Sequence, residues 1–207
     1  YSVKLWTRGE VEDLYDMRAS LEGLAAARAA ERANSAEIAY LEGLVSETPA
    51  LSFADASGME RALLENTRFH VEIMKMSKIP ALGEMARMVV PNALLRRIIW
   101  SQGAEDAEQS SKMHRKIVGA IADRSAPLAR LMMREDIYAS REAVIVVIEE
   151  LASRPRADIA EIERLGGTFE HDGRRFGLGT REAGADGRII PFGAAGSKPG
   201  VTSILTK

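Results

Sequence analysis

The chain has 207 residues, 46% of them hydrophobic, enough to bury one core with a tail or two small ones. Lysine plus arginine (28) nearly cancels aspartate plus glutamate (30), so there is no overall basic field of the kind that neutralises nucleic-acid phosphates. Cysteine is absent, which excludes disulfide frameworks, Cys-ligated zinc and thiol nucleophiles and agrees with a reducing, cytoplasmic setting.

The longest apolar run, residues 143–148, is far short of the roughly 20 residues that cross a bilayer, and the N-terminus lacks a signal-peptide pattern. No membrane partner is expected. The first residue is Tyr1 rather than Met, which implies a processed chain or a piece of a longer one.

Residues 10–33 predict a first helix, with Leu14, Met17, Leu21, Leu24 and Ala25 recurring at steps of three and four on its inner stripe. Asn34 or Ser35 caps a second helix over 36–46, which must stop before Thr48-Pro49 because the residue ahead of proline disfavours the helical region. A third helix over 58–76 carries Met59, Leu63, Asn66, His70 and Ile73 on one stripe, two of them polar. Pro80 and Pro91 divide the next stretch into short helices over 80–89 and 92–102. A helix over 104–123 has Ala107, His114, Ile117, Val118 and Ile121 on its inner side, and a turn at 123–127 with Ser125 as cap leads into the last long helix, 126–153. There Leu128, Met132, Asp136, Ala139, Ala143 and Val147 form the expected stripe.

Beyond Arg154-Pro155 the composition changes: ten of the 17 glycines fall in the last 54 residues. Residues 158–165 predict a helical turn or two, and 168–178 a hairpin centred on Asp172-Gly173, a pair suited to a type I′ turn. Residues 179–207 hold too few large apolar groups to bury themselves and predict an extended or disordered end. The expected organisation is a short lead-in over 1–9, a helical domain over 10–153 and a weakly structured extension over 154–207. The fold class is all-α, an antiparallel bundle of six or seven helices.

Asn66 and His70 stand four residues apart, so on a helix they offer an amide oxygen and an imidazole nitrogen to one point. With His114 and Asp136 from other helices they make a chemically sensible set for a divalent cation such as Zn²⁺, Ni²⁺ or Mn²⁺. A single histidine on an apolar face is usually just hydrogen-bonded in the core, but two of only three histidines beside an inward aspartate exceed that expectation. Arg18 lies beside the inner stripe of the first helix and has two candidate partners: Glu22, in a surface-type pair one turn on, or a ligand carboxylate held by parallel hydrogen bonds. The Glu-x-x-His of di-iron bundles is missing, since Thr67 and Ser111 precede the two histidines by three, and no hydrolase or nucleotide-binding motif occurs. The count of two histidines and one carboxylate formally matches an Fe(II) oxygenase triad as well. His171, in His-Asp-Gly, reads as a turn residue.

The order of four stretches resembles the FCD effector domain of the FadR subgroup of GntR-type transcription regulators. They are Asp13-Leu-Tyr-Asp-Met-Arg-Ala-Ser-Leu-Glu22 with the alanine-rich run to Arg32, Asn66-Thr-Arg-Phe-His70, His114 with Ile117 and Ala120-Ile121, and Met133-Arg-Glu-Asp136. The resemblance implies an N-terminal winged helix-turn-helix upstream of this chain that binds DNA, residues 1–5 as the end of its wing, and a helical domain that dimerises and binds a small organic acid, commonly through a metal. It further implies that the family's Asp, His, His and His ligands fall on Asn66, His70, His114 and Asp136, two of them changed in kind, and that Arg18 holds the effector carboxylate. The function so implied is ligand sensing rather than catalysis. The competing classes are a metal-dependent helical enzyme, hydrolase or oxygenase, and a purely structural dimerisation bundle.

Overall fold

The computed structural model describes residues 7–47, 56–89, 104–153, 168–171, 174–177, 181–183 and 189–191. Six helices are described: α1 (Arg8–Arg32), α2 (Ser35–Glu47), α3 (Ala56–Met76), α4 (Pro80–Val89), α5 (Ala104–Ala122) and α6 (Ala126–Ser153). They form the all-α bundle that the periodicity predicts. The expected helices over 92–102 and 158–165 lie outside the described residues. None of the described helices is long and apolar enough to cross a membrane.

The helix ends follow local chemistry. Thr7 caps α1 in a capping box, its hydroxyl accepting from the Glu10 amide while Glu10 accepts from the Thr7 amide. Asn34 does the same for α2 with Glu37, at 2.9 Å in both directions. The turn between α5 and α6 places Arg124 at φ 58°, the left-handed region, and its guanidinium donates to the carbonyls of Ala30 and Ala33 at the C-terminal end of α1.

α1 is the central element. It packs most extensively against α6 and also touches α3, α4 and α5. Its buried face is Val11, Tyr15, Arg18, Ala19, Glu22, Ala25, Ala26, Ala29 and Ala30. This corrects the expected stripe: Met17 is 52% exposed, and Leu14, Leu21 and Leu24 sit half-buried at the edge of the core. Alanines and Gly23 let the α6 backbone come close; a Cβ on Gly23 would stand 3.0 Å from Arg134 Cγ. The larger leucines would hold the helices apart, so they cover the rim instead.

The α6 stripe is likewise rotated, by one residue or about 100°. Ala129, Met133, Asp136, Ile137, Val144, Ile145 and Ile148 are buried, whereas Leu128 is 43% exposed and Ala139 exposed. Both faces of α6 carry apolar residues at helical spacing, and the neighbours select between them.

Two antiparallel strand pairs follow: β1 (Thr168–His171) with β2 (Arg174–Gly177), and β3 (Arg181–Ala183) with β4 (Ile189–Pro191). The first is the hairpin that Asp172-Gly173 predicts, and His171 pairs with Arg174 at its inner end. The second falls in the stretch expected to be extended or disordered, where short antiparallel pairing holds two extended segments together.

Arg124→Ala keeps the left-handed turn but loses both hydrogen bonds to α1. We expect a loss of about 1–2 kcal/mol in urea unfolding, and an unchanged midpoint would remove the cap from the account.

Candidate metal and effector site

Four helices contribute to one buried cluster. α1 supplies Tyr15, Arg18 and Glu22; α3 supplies Phe69 and His70; α5 supplies His114; α6 supplies Asp136. All seven are buried. Phe69 stacks on the His114 ring at 3.9 Å between centroids, and His70 meets His114 edge to face at 5.4 Å. The two imidazoles are therefore set at right angles by an aromatic wall.

Asp136 sits between them. Its Oδ2 is 3.4 Å from His70 Nε2 and 3.7 Å from His114 Nε2. One ligand atom from each of the three residues lies within 4.8 Å of the others. A cation bound at about 2.1 Å with tetrahedral angles sets neighbouring ligand atoms about 3.4 Å apart, close to the Asp136 distances. His114 Nε2 is buried without a hydrogen-bond partner. Two imidazoles and one carboxylate, with an orphaned nitrogen aimed among them, fit a divalent cation and leave a coordination position open.

Of the residues expected at this site, the structure brings His70, His114 and Asp136 together. Asn66, one turn before His70, is half-buried, and among the described contacts none links it to the three. Arg18 is buried beside them and its Nε donates to Glu22 Oε1 at 2.8 Å. Of its two expected partners Glu22 is therefore present, but as a buried pair rather than a surface one.

The burial of Glu22 and its approach to His70 escape a sequence reading. The other Glu22 oxygen, Oε2, approaches His70 Nδ1 to 2.7 Å. The two atoms stand at ion-pair distance. The signal that could have found it is spacing: Val11, Tyr15, Arg18, Glu22, Ala25 and Ala29 step by three and four, with two charged residues hidden in the run.

Electrostatics follows from burial. Burial alone would raise the Glu22 carboxyl, but Arg18 and His70 outweigh it and hold it at about 2. Asp136 is also lowered, burial being outweighed by His114 and His70. Burial lowers His114 despite Asp136, which favours the neutral ring that metals require. Tyr15, whose hydroxyl is buried without a partner, is pushed up to about 12 by burial against the pull of Arg18, 4.9 Å from its ring centre.

The model of the FCD domain matches residues 13–139, more than half of the chain and every residue of the cluster. The chain belongs to the FCD domain family. Among solved structures, this FCD chain is similar to Streptococcus agalactiae GntR, with 24% identity and a TM-score of 0.53, covering 64% of this chain and 58% of that one. It is also similar to E. coli McbR/YncC, with 17% identity and a TM-score of 0.56, covering 72% and 68%. At these identities the likeness is one of fold, and the chain spans little more than half the length of the first. A comparison with curated proteins gives no match.

Glu22, Asp136 and His114 all bind protons less readily folded than unfolded. Each therefore contributes stability above its ordinary value and loses it as pH falls. With a chelator present, urea midpoints should decline on acidification, starting near 6.5 with His114 and steepening below 4.5 with Glu22. A midpoint flat from pH 7 to pH 4 contradicts this electrostatic account.

Proposed function

We propose that this FCD domain senses a small carboxylate and dimerises within a bacterial GntR-type regulator of the FadR subgroup. One observation carries the reading: His114 Nε2 is buried, makes no hydrogen bond of normal length and is grouped with His70 and Asp136. A bundle whose polar groups served packing alone would satisfy that atom, because a buried orphan costs about 1–3 kcal/mol.

His70, His114 and Asp136 would hold a divalent cation of the Zn²⁺, Ni²⁺ or Mn²⁺ type, with Asn66 the remaining candidate ligand. When bound, the cation supplies a Lewis-acidic anchor for a carboxylate. The chain's own residues do the rest. The guanidinium of Arg18 keeps N–H groups beyond the Nε spent on Glu22, and the Tyr15 hydroxyl beside it lacks a partner. Charge supports an anionic effector: Arg18 and Glu22 cancel, and a divalent cation exceeds Asp136 by one positive charge. The neighbouring Phe69 ring excludes water and strengthens each of these attractions.

A ligand held from α1, α3, α5 and α6 at once favours one relative arrangement of four helices. In the longer protein this would set the separation of paired DNA-binding heads, with DNA as a partner only through a segment outside this chain. The absence of cysteine suits a cytoplasmic regulator. No residue acts as an activated nucleophile in this reading, and sensing without turnover is expected.

Calorimetric titration with Zn²⁺ or Mn²⁺, then with small organic acids on the loaded protein, tests the reading. Saturable binding without turnover is expected, abolished by His70→Ala and by His114→Ala. No binding of any metal or acid, with both variants as stable as the parent, overturns it.

Asn66→Asp adds an anionic oxygen one turn from His70. Metal affinity should rise about tenfold or more, the scale on which neighbouring carboxylates tune such sites; an unchanged affinity would place Asn66 outside the ligand set.

A further inference from the structure

Glu22 is fully buried on α1, about four turns into the helix, and touches both halves of the site. Oε1 accepts from Arg18 Nε at 2.8 Å, and Oε2 stands 2.7 Å from His70 Nδ1. An unprotonated Nδ1 at that separation would set two lone pairs against each other, so the ring proton belongs on Nδ1. In the neutral ring the other nitrogen is then bare and faces Asp136 Oδ2 across 3.4 Å. Two bare acceptors facing each other across that gap repel unless a metal ion or a second ring proton lies between them.

We propose that Glu22 is a positioning residue for the cation site. Its carboxylate sets the tautomer and orientation of His70, and through Arg18 it joins the anion-binding side chain to a cation ligand. Carboxylates that accept from the far nitrogen of a ligating histidine commonly tune metal affinity by about 10- to 100-fold. The inference rests on the cation reading for the metal itself, but the tautomer exists without metal.

The test uses Glu22→Gln and, because that change strands a buried guanidinium, the double variant Arg18→Gln/Glu22→Gln, which removes both charges together. The first readout is metal-free: long-range ¹H–¹⁵N spectra of the imidazoles at pH 8 with a chelator. The parent should show the His70 proton on Nδ1, and both variants should show it redistributed to Nε2, where Asp136 accepts it. The second readout is titration with Zn²⁺ alone and Mn²⁺ alone, in which both variants should lose about 10- to 100-fold in affinity. A parent His70 protonated on Nε2 and bare at Nδ1, or variants with unchanged tautomer and affinity within twofold, overturns the proposal. If the parent binds neither metal, the cation reading fails by itself and the tautomer alone decides the role of Glu22.

Discussion

A carboxylate cannot be left alone in a helical core, and the centre of this bundle is arranged around one that is not alone. Glu22 is 1% exposed and is approached by Arg18 along its own helix and by His70 from α3. Removing one partner of such a buried pair typically costs about 3–5 kcal/mol, because the remaining charge stays desolvated. The pair therefore constrains how α1 and α3 meet. The same series continues through Asp136 on α6 to His114 on α5, so polar contacts run through four helices.

That arrangement is possible only because α1 is thin. Ala19, Ala26, Ala29 and Ala30 bury almost completely, and a Cβ on Gly23 would press on Arg134 at 3.0 Å. With small residues at the contact, α6 lies close enough for Asp136 to stand opposite His70. Hydrophobic burial supplies the stability around it, through Phe69, Ile73, Ile117, Ile121, Met133 and Ile137. The polar set contributes specificity of arrangement and, in the proposed function, the recognition of a ligand. Under the proposed function, ligand binding would be coupled to helix placement directly, since the groups that would touch the ligand also hold the helices.

The residues of the site were unevenly legible. His70, His114 and Asp136 stand out because each interrupts an apolar stripe, and the helices that carry them are long and strongly periodic. Arg18 was visible as an anomaly, but its environment was not: an i,i+4 pair reads the same on a surface or in a core. Glu22 was visible as a partner of Arg18, but its inward position was hidden by the opposite error. Leucines drew the inner stripe of α1 toward Leu14 and Leu21, when the buried face was the one lined by alanine and charge. Tyr15 followed the same fate, since an aromatic residue at a helix surface is unremarkable until its hydroxyl is found buried.

Local chemistry alone determined the helices of this chain, their caps at Thr7 and Asn34, the hairpin around Asp172-Gly173 and the inward histidines. Periodicity and capping act over a few residues, so they are written in the sequence at short range. Which face of α1 and of α6 turns inward depended on the neighbouring helices, because two apolar stripes of similar strength compete and only close packing separates them. The joining of Glu22 to His70, 48 residues apart along the chain, was decided by tertiary structure for the same reason. A buried charge finds its partner through space, and no spacing in the sequence records that distance.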